Sequence, residues 1–237
     1  MRLHDMNWQA VREYLQHDDR VVIPVGSTEQ HGFLSLGTDA ILAERVSVEA
    51  AEPLGIPVLP VLPFGVTPYL AAFPGSITLR LRTFLSAVED ILDCLEGQGF
   101  RRFAIVNGHG GNTSAGDLCK EWTAKRRPYR VQAQFMSWYN APRTWAVAEK
   151  YESDPGHGSW FENFPWTRIP GVEMPAGRKP ALDRRIIAQF TPDDVREQSG
   201  DGNFGGSYDL GDEAMNDIWR EGVSEVRDML TDGWAFR

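Results

Sequence analysis

The sequence predicts an α/β protein with a mostly parallel central sheet, and three observations support this. Short apolar runs typical of buried strands alternate along the chain with segments of helical periodicity. The helical segments between strands are about 10 to 15 residues long, the length of a βαβ crossover. The 237 residues, 42% hydrophobic and 24% charged, have an ordinary globular composition without repeats or linkers. One domain over residues 1–237 is therefore expected.

Four segments are predicted to form strands. They are Val21–Val25, Ile56–Leu62, Phe103–Val106 and Arg130–Met136. The prolines of the second segment are unfavourable in a central strand, because proline has no N–H to donate. Ligands of such sheets bind beyond the carboxyl ends of the strands. We therefore expect the functional residues directly after the strands.

Helices are predicted between and after these strands. They are Asp39–Ala51, Phe84–Leu95, Ser114–Lys125 and the segment from Asp212 to about Leu230. The second has leucine, isoleucine and valine at helical spacing, which indicates an amphipathic helix. Residues 151–182 are rich in glycine, proline and aromatic side chains, and residues 199–212 are also irregular. Both are predicted to be long functional loops.

Composition argues against several classes of function. A net charge of −9 disfavours nonspecific binding to nucleic acids or anionic membranes and slightly favours a cationic or neutral substrate. The expected partner is a small-molecule substrate. The N-terminus lacks the apolar core of a signal peptide, and no apolar stretch approaches the roughly 18 residues of a membrane span. Cys94 and Cys119 have no metal-type spacing and are predicted to be reduced thiols. A cytoplasmic protein is expected.

The first candidate site follows the first strand. Its sequence is GSTEQHGFLSLGTD (residues 26–39), and it contains Glu29, His31 and Asp39. Residues two apart in an extended segment point to the same side, so Glu29 and His31 are suited to bind one metal ion. Structural alternatives remain open, because Thr38-Asp39 is also typical of a helix N-cap and His31 is equally compatible with a hydrogen-bonded core position.

The second candidate site follows the third strand. Its sequence, VNGHGGN (residues 106–112), places His109 among glycines that let the backbone approach a ligand. Asn107 and Asn112 are candidates to position the site by hydrogen bonds. A glycine-rich turn with an incidental histidine is the alternative. The segment lacks the lysine of a phosphate-binding loop.

The third candidate site lies in an aromatic loop. Its sequence is DPGHGSWFENFPWTR (residues 154–168), and it contains His157, Glu162 and Arg168. An acid and a histidine among aromatic rings suit a binding pocket. The alternative is a hydrophobic loop with surface charges, in which Arg168 forms a structural salt bridge.

These loops together contain a possible ligand set of mixed nitrogen and oxygen donors. Its members are Glu29, His31, Asp39, His109 and Glu162. Such donors suit Zn²⁺, with Mn²⁺ or Fe²⁺ as alternatives, and a shared carboxylate allows one or two ions. The absence of cysteine among them favours an open catalytic site over a structural zinc.

The segments also resemble the creatininase (creatinine amidohydrolase) family. The resemblance rests on VVIPVGSTEQHGFLSLGTD, FPGSITL (residues 73–79), VNGHGGN and GHGSWFEN, in the family's order, over roughly residues 15 to 165. It implies a three-layer α/β/α sandwich, metal-dependent hydrolysis of cyclic or linear amides, and a homo-oligomer, often a hexamer.

The resemblance also implies roles for individual residues. Metal ligands are implied at Glu29, His31, Asp39 and His109. Asp39 would bridge two ions, and His157 would be the catalytic histidine that carries a proton to the leaving group. Creatininase has a glutamate where this chain has Gly111, so Glu162 is expected to act instead, as a ligand or as a catalytic acid–base.

Three departures from the family pattern indicate a divergent member rather than creatininase itself. Phe33-Leu34 replaces Pro-His, Gly156 replaces the glutamate before the catalytic histidine, and Asn163-Phe164 replaces Thr-Ser. A cyclic amide or lactam is the first expected substrate, followed by a formamide and an inosose-type cyclic diketone. Peptide processing and non-catalytic binding remain open. The predicted substrate-binding residues are Trp138, Tyr139, Trp160, Asn163 and Arg168.

Overall fold

The computed structural model describes residues 1–126, 130–183, 187 and 189–236. Its strands are β1 (Arg20–Val25), β2 (Arg102–Asn107), β3 (Gln132–Ser137), β4 (Arg178–Lys179) and β5 (Gly206–Ser207). Its α-helices are α1 (Trp8–Tyr14), α2 (Thr38–Ala51), α3 (Leu81–Gln98), α4 (Ser114–Lys125), α5 (Pro142–Tyr151), α6 (Pro192–Ser199) and α7 (Asp212–Asp232). The patterns in the sequence did not predict α1, α5 or α6.

Strands β1, β2 and β3 form a parallel sheet with β2 in the centre. Val25, Asn107 and Ser137 are aligned with one another at the last position of the three strands. All three strands therefore end at the same edge of the sheet. The loops with the first two candidate sites begin at this edge.

The prediction of a strand over Ile56–Leu62 was wrong, because only isolated residues of this segment pair with β1. The segment forms two isolated parallel bridges to β1, Val58 with Val22 and Leu62 with Val25. Its prolines have no N–H to donate, so a continuous ladder cannot form. The segment nevertheless covers the outer edge of β1 through individual hydrogen bonds, such as Leu62 N to the Pro24 carbonyl (3.0 Å).

The sheet separates two apolar cores. Val21, Ile23, Phe103 and Ile105 on one face pack with residues of α3 and α4. Val22, Ala104 and Val106 on the other face pack with residues of α2, α5 and α7. Because successive residues of a strand point to opposite faces, each strand contributes to both cores. The result is the three-layer α/β/α sandwich that the resemblance implied.

The two cysteines are free thiols, as expected. Cys94 is exposed, whereas Cys119 lies in the core between the sheet and α4, and burial raises the pKa of its thiol to about 12. Among the helices of the described residues, none has the length and apolar character needed to cross a membrane.

Gly108, just beyond β2, brings the first turn of α2 to the carboxyl edge of the sheet. A Cβ atom at this position would lie 2.4 Å from the backbone oxygen of Asp39, closer than two such atoms can approach. Only glycine therefore permits this packing of main chain against main chain. The contact holds Asp39 at the edge where the ligands from β1 and β2 converge.

Candidate metal centre

The structure brings all five predicted ligands and His157 into one cluster at the carboxyl edge of the sheet. The loop after β1 supplies Glu29 and His31, and the first turn of α2 supplies Asp39. His109 follows β2, and the loop after α5 supplies His157 and Glu162. Four members of the cluster are at most 2% exposed, so their ionisable groups are shielded from water: Glu29, His31, Asp39 and His109.

Asp39 lies between two groups of donors. Its Oδ1 is 3.0 Å from His31 Nε2, and its Oδ2 is 3.0 Å from His109 Nδ1. Glu29 Oε2 is 3.2 Å from the same nitrogen of His109, and Glu162 Oε1 is 3.7 Å from His31 Nε2. Donors bonded to one ion at about 2.1 Å lie roughly 3 to 3.5 Å apart. Two triads with suitable spacing therefore share Asp39: Glu29/Asp39/His109 and His31/Asp39/Glu162.

The carboxylate of Asp39 does not cap α2, although the sequence left that alternative open. No side chain caps this helix, and the Thr38 hydroxyl donates to the Ser35 carbonyl (2.7 Å). Asp39 Oδ2 and both carboxylate oxygens of Glu29 are buried without a well-aligned hydrogen bond. Buried oxygens of this kind are costly unless a cation compensates them, so the donor set fits a metal ion.

Each histidine of the cluster is held by a main-chain carbonyl. His31 Nδ1 donates to the Glu29 carbonyl (3.0 Å), and His109 Nε2 donates to the Val66 carbonyl (3.0 Å). His157 Nε2 donates to the Gln30 carbonyl (2.7 Å). Because a carbonyl can only accept, the other ring nitrogen faces the carboxylates. This anchoring orients a histidine for metal binding or proton transfer.

Charges within the cluster strongly shift the pKa values of its members. Burial by itself lowers the pKa of His31, but the charges of Asp39 and Glu162 outweigh it and raise the value to about 10. Burial also lowers the pKa of His109, but the negative charges and hydrogen bonds of Glu29 and Asp39 together outweigh this effect and hold the pKa well above its usual value. A bound divalent ion would compete with protons for these histidine nitrogens.

Gly111 explains why a ligand cannot come from the position that carries glutamate in creatininase. A Cβ atom at Gly111 would lie 1.9 Å from the Val66 carbonyl oxygen and 2.6 Å from His109 Nε2. That carbonyl is the one that holds His109. Glu162 approaches the His31–Asp39 pair from the other loop, and its Oε2 accepts a hydrogen bond from Gly158 N (2.6 Å).

Replacement of Gly111 by alanine is expected to displace the Val66 carbonyl and, with it, the ring of His109. We expect the free energy of unfolding to fall by about 1–3 kcal/mol, as for other overpacked sites, and metal binding to weaken. Chemical denaturation and metal titration measure the two effects. Gly110→Ala is the matched control, because its Cβ would meet its nearest atom, Tyr139 Oη, at 3.7 Å. Equal behaviour of the two variants would contradict this explanation.

The two predicted asparagines hold loops in place. Asn107 Nδ2 donates to the His109 carbonyl (2.6 Å) and to Ser137 Oγ (2.9 Å), which links the second site loop to β3. Asn112 accepts from Val66 N (3.2 Å) and donates to the Gly26 carbonyl (3.0 Å). Both side chains therefore fix the segment that orients His109.

The loop of His157 is held by the second predicted functional loop, residues 199–212. Phe204 N donates to the His157 carbonyl (2.9 Å), and Gly156 N donates to the Gly205 carbonyl (3.1 Å). A Cβ atom at Gly156 would lie 2.5 Å from that Gly205 oxygen. The departure from the family glutamate at Gly156 therefore follows from close packing of these two loops.

A cavity of about 850 Å³ opens beside the cluster. Asp39, His109, His157 and Glu162 line it. Tyr139, which was predicted to bind substrate, also lines it. Phe161 of the predicted aromatic loop lines it as well. Three further aromatic residues in its wall were missed by the sequence analysis: Tyr69, Trp145 and Phe204.

Trp138 and Trp160 lie elsewhere. Both are buried in the core that α7 covers, and Trp138 packs edge-to-face against Trp219 at 5.5 Å between ring centroids. Neither is among the described residues that line the cavity. Both rings pack against the ring of Phe161, which belongs to the loop of His157 and Glu162.

Asn163 and Arg168 also lie outside the described cavity wall. Asn163 is buried, and its Nδ2 donates to the Tyr208 carbonyl (2.9 Å). Arg168 donates to Asn163 Oδ1 (2.8 Å) and forms a salt bridge with Asp212 (2.6 Å). The salt bridge is the structural role that the sequence left open for Arg168.

Three curated relatives share local similarity with this chain. A 3-dehydro-scyllo-inosose hydrolase of Thermotoga maritima is 32% identical over 107 residues, 44% of this chain and 34% of the relative. A creatinine amidohydrolase of Pseudomonas putida is 31% identical over 116 residues, 46% of this chain and 45% of the relative. A mycofactocin precursor peptide peptidase of Mycolicibacterium smegmatis is 35% identical over 106 residues, 40% of this chain and 41% of the relative. Each match spans less than half of the relative's length.

The fold is that of solved creatininase structures. A crystal structure of creatinine amidohydrolase superposes with a TM-score of 0.77 and 22% identity, over 100% of this chain and 98% of that chain. The manganese form of creatininase gives a TM-score of 0.77 and 21% identity, over 99% of this chain and 98% of that one. A creatininase variant of Zn-Zn type is also similar, with a TM-score of 0.75. At these identities the likeness concerns the fold.

The family model described as creatinine amidohydrolase extends the similarity along nearly the whole chain, since it matches residues 4–230. The predicted fold class and the resemblance noted from the sequence are both confirmed. On the strength of this match, the chain belongs to the creatininase family.

Proposed function

We propose that this protein hydrolyses an amide C–N bond of a small molecule with a metal-activated water. The observation that carries the proposal is the pair of donor triads that share the buried carboxylate of Asp39. Family membership supports it, because the similar proteins include hydrolases. The manganese and zinc forms of creatininase support a divalent ion as cofactor.

The chain offers three donors to each of two ions. Glu29 and His109 would hold one ion with Asp39, and His31 and Glu162 would hold the other with the same Asp39. This mixed nitrogen and oxygen set suits Zn²⁺, Mn²⁺ or Fe²⁺. When bound, such ions lower the pKa of a water molecule and polarise a substrate carbonyl.

His157 is proposed to move the proton. Its Nε2 is engaged by the Gln30 carbonyl, so Nδ1 faces the cluster, 3.6 Å from Glu29 Oε1. Its ring lies between those of His31 and Phe204, with centroid distances of 4.2 and 4.8 Å, which restricts its rotation. These contacts support a role in which His157 Nδ1 accepts a proton from the attacking water and donates it to the departing nitrogen.

Glu162 is proposed as a ligand rather than as the acid–base. The hydrogen bond from Gly158 N holds its Oε2, and Oε1 is directed towards His31 Nε2. Gly111 leaves no room for a side chain, so it supplies no ligand. We therefore assign the third position beside His31 and Asp39 to the carboxylate of Glu162.

A small cyclic amide or lactam is the leading substrate class. An inosose-type cyclic diketone, cleaved at a C–C bond, is the second candidate, because one relative is a 3-dehydro-scyllo-inosose hydrolase. Processing of a peptide is the third, because another relative is a precursor peptide peptidase. A formamide is a further candidate, because its hydrolysis also breaks an amide C–N bond.

Metal-dependent turnover tests the proposal. The protein is freed of metal with a chelator, reconstituted with Zn²⁺, Mn²⁺ or Fe²⁺, and incubated with creatinine, hydantoin, an N-formyl amine and an inosose. We expect the metal-reconstituted protein, but not the metal-free protein, to hydrolyse a cyclic amide. Chromatography of the reaction mixture measures the loss of substrate. C–C cleavage of the inosose without amide hydrolysis would select the second candidate. Protein that binds none of the three ions would refute the proposal.

A further inference from the structure

The cavity beside the metal centre is much larger than a five-membered cyclic amide requires. Its volume of about 850 Å³ lies near the upper end of the roughly 300–1,000 Å³ typical of pockets for drug-sized ligands. A molecule of about eight heavy atoms fills at most about 240 Å³, at the ~30 Å³ that one water occupies in the liquid. Most of the cavity is therefore available to a second part of the substrate.

Aromatic rings from four separate segments line this additional space. Trp145 of α5 and Phe161 meet edge-to-face, with centroids 6.0 Å apart and an interplanar angle of 73°. Tyr69 and Phe204 form a second pair at 6.2 Å. Phe204 also contacts the ring of His157, so this aromatic wall continues to the proposed site of chemistry. We call these four residues the aromatic wall.

The described residues of the cavity carry no charge apart from the proposed ligands and His157. Their polar side chains are Thr113, Asn140 and the hydroxyls of Tyr69 and Tyr139. Burial raises the pKa of both tyrosines, and the carboxylates of the cluster add to the shift. The phenols are therefore neutral hydrogen-bond donors at ordinary pH. A wall of this kind favours a planar, uncharged group over a polyhydroxylated ring.

We infer that the substrate carries an aromatic group that binds to the aromatic wall while its amide meets the metal centre. The part about the amide rests on the proposed function, whereas the part about the aromatic group rests on the cavity alone. Stacked and edge-to-face contacts favour such a group beyond the area that it buries. The substrate is therefore larger and more apolar than creatinine or an inosose.

Two matched ligands test the inference. Metal-reconstituted protein is titrated calorimetrically with hydantoin and with 5-benzylhydantoin, which differ only by the benzyl group. We expect the benzyl compound to bind at least about tenfold more tightly, from burial of its ring. If the ligands are consumed, the ratio of kcat/KM values replaces the ratio of Kd values. An equal or weaker affinity of 5-benzylhydantoin, or no binding at millimolar concentration, would overturn the inference.

A third ligand and three variants locate the effect. 5-(Hydroxymethyl)hydantoin should bind no better than hydantoin, and tighter binding than the benzyl compound would also overturn the inference. Trp145→Ala, with Trp145→Leu as a variant that retains bulk, should reduce the ratio of the affinity for 5-benzylhydantoin to that for hydantoin. Trp8→Ala removes an indole that is 65% exposed and should leave the preference unchanged.

The proposed function and the inference fail separately. A benzyl preference without hydrolysis by any metal form would retain the aromatic wall as a binding site and count against the proposed function. Hydrolysis of hydantoin without a benzyl preference would retain the proposed function and overturn the inference.

Discussion

An Asp39→Ala protein is expected to lose tight binding of both metal ions, because the two donor triads share Asp39. One Asp39 oxygen is 3.0 Å from His31 Nε2 and the other is 3.0 Å from His109 Nδ1, so the substitution removes a donor from each triad. Loss of a partner that only supports a ligand typically lowers metal affinity by about 10- to 100-fold. Loss of a shared ligand should exceed that range, with hydrolysis lost in parallel. Elemental analysis after gel filtration, together with Zn²⁺ titration, measures the loss.

Two further variants make this result interpretable. Asp117→Ala removes a carboxylate whose side chain is 84% exposed on α4, and it should retain full metal content. Asp39→Asn keeps the volume of the side chain and removes its charge, so it separates a folding defect from a missing ligand. If Asp39→Ala retained two full equivalents of metal, Asp39 would not bridge two ions.

A His157→Gln protein is expected to keep its metal ions and to lose turnover. The two triads with Asp39 do not include His157, whereas its Nδ1 is directed at the cluster. Loss of a positioned proton-transfer group typically lowers kcat by about 10²- to 10⁴-fold. Steady-state kinetics on the best substrate of the metal-reconstituted protein, with metal content measured on the same sample, gives both quantities.

His17→Gln is the control, because His17 is exposed just after α1. An unchanged kcat in the His157→Gln protein would refute the role in proton transfer. A fall in metal content would assign His157 to coordination instead, in the third group of donors with Glu29 and His31, whose atoms lie within 4.8 Å of one another.

The central strands were predictable because they are buried on both faces and their apolar runs are nearly continuous. Val21–Val25 and Phe103–Val106 each extend by one or two residues in the structure. Ile56–Leu62 has a similar apolar content but pairs with β1 only at isolated positions. Strand length depends on the N–H groups that can pair, and the prolines of this segment remove them.

The helices that the sequence did not reveal differ in the signals they carry. α6 begins at a capping box formed by Thr191 and Asp194, so a local signal was present and was overlooked. The start of α5 has a proline at its first position but no side-chain cap within its own segment. Glu225 of α7 accepts hydrogen bonds from Arg143 N (3.0 Å) and Thr144 N (2.7 Å), so its cap comes from a distant part of the chain.

Only one member of the aromatic wall, Phe161, carries a signal in the sequence, because it belongs to the aromatic loop that was predicted to form a pocket. Tyr69, Trp145, Phe161 and Phe204 belong to four segments that are far apart along the chain, and each segment taken separately is compatible with an ordinary apolar core. Trp138 and Trp160 are the opposite case. They are close to site residues along the sequence, yet both are buried in the core. Neighbourhood along the chain does not establish neighbourhood in a cavity.

By itself, the sequence determined the α/β order of the elements and the residue types available as ligands, because both depend on local periodicity and on the residues directly after each strand. The tertiary structure alone decided that Asp39 faces two histidines instead of capping α2, and that Gly111 has no room for a side chain. It also decided which aromatic rings meet at the cavity. These outcomes depend on distances between atoms that the chain brings together only when its three layers pack.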